Sequence, residues 1–420
     1  MKHADIPTFG PLQGVKVVHS SISIAGPFCA QLMADMGADV IWIENPKAPD
    51  IARGGGFHQG WSVEVNRRNM RSLALAIPTP EGREVFLDLM KETDIFIEAS
   101  KGGQYEKWGL SDEALWEVNP RLIIVHISGF GQKGLPAYTS RASYDPIAQA
   151  VGGLMYVNSV EGLSPFPSSQ DVGDIYSGYL GAVGALAALH RVQATGKGES
   201  VDIAQYEAVL RSQGHAMMNE LNTGKPISHD LFPNANTVSG YGSFKCADGK
   251  YCVLMILGPT VFKSAMEVLG LPYGTEEIPA GTARLYHNMP GGKMIDEAVE
   301  KFCSEHTAAE VAQIFQEAKV PASLVYSYQD MIDDPQFVAR NSFAKYPSER
   351  YETDIIAPNV QPVLTNEPGQ VWRSGVDSGF DNDDILEEIG FNKEQIAHLY
   401  EEGVVAKHED KCPQLERRAK

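Results

Sequence analysis

The stretch VKVVHSSISIAGPFCAQLMADMGADVIWI, residues 15–43, decides the fold. Its first apolar run, residues 15–19, predicts a β-strand, and so does the run at residues 40–43. Between them, a glycine-proline pair opens a segment of helical character over residues 26–36. A strand, a helix and a second strand within about 30 residues are typical of a βαβ unit, whose two strands are parallel.

The same alternation continues to about residue 205. Three further apolar runs predict strands, at residues 72–77, 95–98 and 122–127. Thr79, which a proline follows, is expected to be the N-cap of the helix after the first of these strands. Strands separated by helices in this way form a parallel sheet with helices on both faces. The predicted fold class is therefore a doubly wound α/β structure.

The character of the chain changes near Gly224. Proline and glycine become frequent, and a turn at residues 247–249 predicts a β-hairpin. Thr307 and Glu310 have the spacing of a helix capping box. These features predict a smaller α+β domain, which we place at residues 225–325.

The composition excludes several classes of protein. The 420 residues include 54 acidic and 35 basic side chains, and the formal charge of -19 argues against a general nucleic-acid-binding protein. A small anionic ligand is compatible with this charge, because it needs only a few local cations and backbone N–H groups. The five cysteines have no Cys-x-x-Cys spacing, so we expect neither a metal site nor a disulfide framework.

No targeting or membrane segment is expected. The first 25 residues lack the basic-then-apolar pattern of a secretory signal. The longest apolar run, residues 179–189, is too short to cross a bilayer. We therefore expect a cytoplasmic protein that has neither a membrane nor a nucleic acid as its partner.

A glycine loop at residues 129–134, GFGQKG, fits the G-x-G-x-x-G pattern of dinucleotide-binding proteins. That pattern binds a dinucleotide where the loop opens a helix, and Pro136 lies where this helix would continue. We therefore do not predict an NAD site. A glycine turn at the carboxyl end of a strand is still where doubly wound folds bind ligands, so we interpret the loop as a ligand-binding turn.

Eight short segments along the chain carry a family resemblance. They are PLQGVKV (11–17), AGPF (25–28), MADMGADVI (33–41), NRRN (66–69), TPEGR (79–83), DIYSG (174–178), TGKGE (195–199) and DPQFVAR (334–340). Their number, order and spacing over nearly the whole chain resemble the class III CoA-transferases, also called the CaiB/BaiF family. The stretch IFIEASKG (95–102) is similar to the carnitine CoA-transferase and bile-acid-inducible CoA-transferase branches of that family.

The resemblance implies a fold, an assembly and an activity. Each protomer would have a Rossmann-like large domain built from both chain ends, residues 1–224 and 326–420, with the small domain, residues 225–325, between them. Two protomers would thread through each other as an interlocked homodimer. The implied activity is transfer of CoA from an acyl-CoA donor to a carboxylic acid, either a bile acid or a carnitine- or crotonobetaine-type acid. Coenzyme A and acyl-CoA would bind as substrates, with no permanently bound cofactor and no metal.

Asp174 is the residue to which the resemblance assigns the chemistry. Taken alone, it has the position of an N-cap for a helix that starts at Ile175. In the segment DIYSG it matches the nucleophile of the family, which implies an aspartyl-CoA thioester as the intermediate. A carboxylate suits this role because it is both an acyl acceptor and a leaving group. Asp171 is the competing carboxylate, but it lies three residues too early for the motif.

The resemblance also implies residues that contact CoA. Lys101 matches a CoA-contacting lysine of the carnitine enzyme. Lys107 falls where many members have an arginine, and the alternative for it is a solvated surface charge. The remaining matches are Leu75 on the adenine side and the loop residues Ser128, Gly129, Phe130 and Gly131.

Two other functions share this fold. α-Methylacyl-CoA racemases use a histidine that precedes an aspartate aligned with Asp145, and here that place is Tyr144, which disfavours isomerisation. The other alternative is a non-catalytic CoA-binding subunit, against which the Asp174 motif argues. Four further residues are candidates for the lining of the acyl pocket, but a core or surface role is equally open for each of them: His58, Trp61, His215 and Met218.

Overall fold

The computed structural model describes residues 1–54, 60–159, 162–226 and 238–409. Of the acyl-pocket candidates, His58 and the side chain of His215 lie outside this description. The strands are β1 (Lys16–His19), β2 (Asp39–Glu44), β3 (Met70–Ala74), β4 (Ile95–Glu98), β5 (Ile123–Ser128), β6 (Glu199–Ala204), β7 (Tyr241–Lys245), β8 (Tyr251–Met255), β9 (Ala322–Leu324), β10 (Phe343–Ser348) and β11 (Thr353–Pro358). The α-helices are α1 (Ala25–Ala34), α2 (Trp61–Asn66), α3 (Pro80–Met90), α4 (Gln104–Lys107), α5 (Asp112–Val118), α6 (Pro136–Thr139), α7 (Asp145–Val151), α8 (Leu154–Val157), α9 (Val172–Thr195), α10 (Gln205–Ser212), α11 (Gly214–Thr223), α12 (Pro259–Leu269), α13 (Pro290–Glu305), α14 (Ala308–Glu317), α15 (Tyr328–Asp333), α16 (Pro335–Ala339), α17 (Asn382–Glu388) and α18 (Lys393–Glu401).

The chain divides into two compact units. The first unit comprises Met1–Tyr156, Phe166–Met218 and Val338–Lys420, and the second comprises Val157–Pro165 and Asn219–Phe337. The first unit thus contains both chain ends, and residues 225–325, the predicted small domain, fall inside the second. Three stretches predicted as part of the large domain belong to the second unit instead, namely Val157–Pro165, residues 219–224 and residues 326–337.

A six-stranded parallel sheet forms the core of the first unit, in the order β3-β2-β1-β4-β5-β6. Strands β2, β4 and β5 are buried along their whole length, as a parallel sheet requires when helices cover both of its faces. The predicted α/β class with a parallel sheet is therefore confirmed. The strand order reverses between β1 and β4, and doubly wound folds bind ligands outside the carboxyl ends of the strands at such a point.

The second unit contains the predicted hairpin, in which β7 and β8 pair antiparallel and β9 pairs with β8. The predicted capping box begins α14. The Thr307 hydroxyl accepts from the N–H of Glu310 at 3.3 Å, and the Glu310 carboxylate accepts from the N–H of Thr307 at 2.8 Å. Both local predictions are therefore confirmed.

Helix α9 is longer than the apolar run in the sequence indicated. It has 24 residues, and by length and composition alone it could cross a membrane. One of its faces, however, packs closely on α1: a Cβ atom at Gly178 would lie 2.7 Å from the ring of Phe28 and 2.9 Å from the carbonyl oxygen of Ala25. Only glycine permits this approach, so α9 packs here as a core helix does.

Candidate active site

A cavity of about 290 Å³ opens at the carboxyl ends of four strands, β1, β4, β5 and β6, within the first unit. Residues from the end of each strand line it: Ser20 and Ser21 after β1, Lys101 after β4, Ser128 and Gly129 at the end of β5, and Gln205 after β6. Asp174, from the first turn of α9, lines the same cavity. The fold thus brings the predicted nucleophile together with three of the predicted CoA contacts.

Asp174 lies inside the first turn of α9 and not at its cap. The helix begins at Val172 with Asp171 as the N-cap residue, so the predicted N-cap position of Asp174 is wrong. The first N–H groups are capped from α7, where one carboxylate oxygen of Asp145 accepts from Gly173 and Asp174 at 2.6 and 3.2 Å. The Asp174 side chain is only 5% exposed, and it contributes to the cavity wall.

The Asp174 carboxyl group is hard to ionise. Burial raises its pKa, and the carboxylates of Asp145 and Asp171 raise it further, to about 7, against the opposite effect of a hydrogen bond from Gln205. A buried carboxylate has lost part of its hydration shell, so it attacks more readily than an aspartate in water. Such a perturbed group in a cleft is typical of a functional site.

Gln205 is a site residue that the sequence did not reveal. It is the first residue of α10, comes directly after β6, and is 7% exposed. Its side-chain amide donates a hydrogen bond to Oδ1 of Asp174. Its place at the end of the alternating strands and helices, which the sequence carries to about residue 205, is the one signal that could have indicated it, because doubly wound folds bind ligands at strand ends.

The glycine loop after β5 lies against the cavity. Ser128 is buried, and its hydroxyl has no hydrogen-bond partner within the described ranges. A Cβ atom at Gly129 would lie 2.1 Å from Cβ of Ser143, so glycine is required for this close packing. The helix that follows, α6, has only four residues, which agrees with the interpretation that the loop is not a dinucleotide site. Ser128 and Gly129 thus form a closely packed part of the cavity wall.

Comparisons with known proteins place the chain in a family and find solved structures with a similar fold. Residues 12–382 match the family model described as CoA-transferase family III. The chain belongs to this family. A CaiB/BaiF family protein from Brucella suis is 26% identical, with a TM-score of 0.78, over 91% of this chain and 100% of that one. The Rv3272 protein from M. tuberculosis has the same fold, with 22% identity and a TM-score of 0.77 over 90% of this chain and 99% of that one.

The other predicted CoA contacts of this family III protein do not line the Asp174 cavity. Phe130 and Gly131 belong to the glycine loop but do not line the cavity wall. Leu75 is 1% exposed within the hydrophobic core, and its side chain does not line the cavity. Lys107 is exposed at the end of α4 and is not one of the residues that line the cavity.

The two acyl-pocket candidates with described side chains also lie elsewhere. Trp61 stacks on Tyr351 with 4.5 Å between ring centroids, and Met218 is exposed. Arg141 and Tyr144, from the segment before α7, line the cavity instead. The wall of the family III site therefore carries a second cation besides Lys101.

A buried ion network lies beneath this wall. His126 on β5 contacts Glu98 on β4 at 2.6 Å and Asp112 at the start of α5 at 3.0 Å. Burial alone would lower the pKa of His126, but hydrogen bonds to Asp112 and Glu98 raise it to about 10. The imidazole therefore stays protonated at neutral pH, and both carboxylates keep their partner.

Glu98 also fixes two loops of the cavity. Its carboxylate accepts from the N–H of Ser100 at 2.6 Å, beside Lys101, and from the side-chain amide of Gln132 at 3.2 Å, in the glycine loop. One charged group thus sets the position of two segments that line the site. Within the described ranges, no group of three or more His, Cys, Asp or Glu side chains is arranged to hold a metal ion.

Proposed function

We propose that this protein transfers CoA from an acyl-CoA donor to a carboxylic acid, with Asp174 as the nucleophile. The main support is the Asp174 carboxyl group itself, which is buried, costly to ionise, and part of a cavity wall at the carboxyl ends of a doubly wound sheet. Membership in CoA-transferase family III is consistent with this role.

The proposed reaction has four steps at three carbonyl carbons, namely that of the donor, Cγ of Asp174 and that of the acceptor. Oxygen Oδ2 of Asp174 attacks the carbonyl carbon of the donor thioester, the C–S bond breaks, and CoA leaves as the thiolate. The thiolate attacks Cγ of Asp174, the Cγ–Oδ2 bond breaks, and the donor acid leaves with that oxygen. The acceptor carboxylate then displaces the thiolate from Cγ. The thiolate attacks the acceptor carbonyl carbon, which gives the new acyl-CoA and restores the carboxylate of Asp174.

The cavity wall offers groups that suit CoA. Lys101 and Arg141 are cations in a strongly acidic chain, and phosphate groups need such local cations. These groups line the same cavity as Asp174.

The acid is proposed to be a bile acid or a carnitine- or crotonobetaine-type acid, on the similarity of residues 95–102 to those branches. We further propose a cytoplasmic, interlocked homodimer. Isomerisation of the acyl group has less support. Racemases of this fold need a histidine at the position of Tyr144, and Asp145 is engaged in capping α9.

The test offers cholyl-CoA and crotonobetainyl-CoA as donors, each with cholate, carnitine and crotonobetaine as acceptors. We expect CoA transfer only between a donor and an acceptor of the same acid class. We also expect a covalent CoA adduct on the intact protein, which Asp174→Ala should abolish. Asp171→Ala is the matched control and should retain transfer. Transfer by Asp174→Ala, or a hydroxylamine label on another residue, would refute the mechanism. Binding of CoA with no transfer to any acceptor would favour the non-catalytic subunit.

A further inference from the structure

Gln205 contacts the reacting group itself. Its amide donates to Oδ1 of Asp174, and within the described ranges it is the one side chain that hydrogen bonds to this carboxylate. Both residues are almost fully buried and line the same cavity. Gln205 is held in place by its backbone, because it follows β6 directly and Ala204 of β6 pairs with Ser128 of β5.

The steps of the transfer place negative charge on different oxygen atoms. When Asp174 attacks an acyl-CoA, the charge develops on the carbonyl oxygen of the acyl group. When the CoA thiolate attacks Cγ of Asp174, the charge develops on the aspartyl oxygen that does not leave. With Oδ2 bonded to the acyl group, this remaining oxygen is Oδ1, to which Gln205 already donates.

We propose that Gln205 is a catalytic residue, whose amide donates a hydrogen bond to the oxyanion in the two steps at Cγ of Asp174. Because this hydrogen bond occupies Oδ1, Oδ2 is the oxygen that bonds to the acyl group. The inference rests on the proposed CoA transfer. In the first of these steps the C–S bond forms and an electron pair moves onto Oδ1. The pair then returns, the Cγ–Oδ2 bond breaks, and the acid leaves with Oδ2. The second step runs in the opposite direction with the acceptor carboxylate, and Gln205 neither gains nor loses a proton.

A neutral amide suits this role. In the ground state of both steps Oδ1 is an uncharged carbonyl oxygen, and in the transition state it carries negative charge. The hydrogen bond from Gln205 therefore strengthens as the reaction proceeds, which is the condition for a rate gain. In the first step charge develops on the donor carbonyl oxygen and not on Oδ1, so we expect the effect of this amide to be confined to the chemistry at Cγ.

The test separates the two kinds of step in single-turnover experiments. The donor is cholyl-CoA or crotonobetainyl-CoA, whichever supports transfer by the wild-type protein, and quenched samples are weighed as intact protein. In Gln205→Leu we expect the acyl adduct on Asp174 to form within about threefold of the wild-type rate. We expect the CoA adduct to form about 100- to 1,000-fold more slowly, the usual loss on removal of one oxyanion donor.

Two further variants complete the test. Gln205→Met has a similar length, cannot donate a hydrogen bond and adds no charge beside Asp174. It should also lose formation of the CoA adduct, which guards against a folding defect in Gln205→Leu. Gln213→Leu is the matched control, because Gln213 is a buried glutamine just past the other end of α10 that donates to Val209. It should leave both rates unchanged.

Equal slowing of both steps in the Gln205 variants would reduce Gln205 to a positioning residue and overturn the inference. A CoA adduct that forms at the wild-type rate would overturn it as well. Absence of a CoA adduct in the wild-type protein, or transfer by Asp174→Ala, would instead refute the proposed function. The two failures are therefore distinguishable.

Discussion

At the scale of single residues, the carboxyl group of Asp174 sets the expected pH dependence of transfer. It attacks as the carboxylate, and burial together with Asp145 and Asp171 raises its pKa to about 7. We therefore expect kcat/KM to fall about tenfold per pH unit below 7 and to level off above about pH 8. Initial rates between pH 5 and 9 measure this profile.

Asp145→Asn removes a negative charge beside Asp174 but keeps an oxygen that can cap α9, so it should move the inflection of the pH profile to lower pH. A profile without an inflection would contradict the assignment.

The same burial makes Asp174 costly for stability. Its pKa rises from 3.8 to about 7 on folding, so the folded chain binds more protons than the unfolded chain between these values. Stability therefore falls as the pH rises through this window. This pKa shift corresponds to a loss of at most about 4 kcal/mol in the free energy of unfolding. The favourable position of the carboxylate at a helix N-terminus offsets part of this loss.

We expect Asp174→Asn to raise the free energy of unfolding by about 2 kcal/mol at pH 8 and by little at pH 4. Urea unfolding at the two pH values gives the comparison. An equal effect of the substitution at both values would show that ionisation is not its cause.

At the scale of elements, the sequence predicts the strands well and the contacts between elements poorly. Strands β1, β2 and β5 are apolar runs, and their signal is local. The start of α9 depends on Asp145, and the hydrogen bond to Asp174 comes from Gln205 on another helix. Local periodicity carries no information about such distant partners. The ordered family segments indicated Asp174 itself, but not the two side chains that hold it.

Glu98 provides the prediction that belongs to this scale. It fixes the loop of Lys101 and the loop of Gln132, but it does not contact Asp174. We therefore expect Glu98→Gln to raise the KM for acyl-CoA about tenfold and to lower kcat much less, since a hydrogen bond to a buried charge has about this value. Glu92→Gln, at an exposed ion pair with Lys16, is the control. Steady-state kinetics with a saturating acceptor measure both constants, and an unchanged KM would contradict the anchoring role.

At the scale of the whole molecule, the sheet does not decide the function. The order β3-β2-β1-β4-β5-β6 is the one that dinucleotide-binding domains use. Here the glycine loop follows β5 and leads to a helix of four residues, so this edge of the sheet is not built for a dinucleotide. The chemistry instead belongs to a carboxylate supplied by α9. Function in this fold is thus a property of the residues at the strand ends.

The assembly also belongs to this scale. Four apolar side chains on one face of α9 are 38% to 63% exposed, namely Tyr176, Tyr179, Leu180 and Val183. Their spacing of three, four and seven places them in one stripe, and a monomer rarely exposes such a surface. This stripe supports the proposed homodimer, and the interlocked form of that dimer is a proposal that rests on the family resemblance alone. We expect light scattering to give twice the mass of the chain.

Interlocking has a kinetic consequence that an ordinary dimer does not share. Two chains threaded through each other cannot separate until one of them unfolds, so subunit exchange should be as slow as global unfolding. When a tagged and an untagged dimer are mixed, we expect no mixed species over hours in buffer. Exchange should appear only at urea concentrations that unfold the protein, measured in parallel as the control. Exchange within minutes without urea would indicate two chains packed side by side, and a monomeric mass would exclude the dimer altogether.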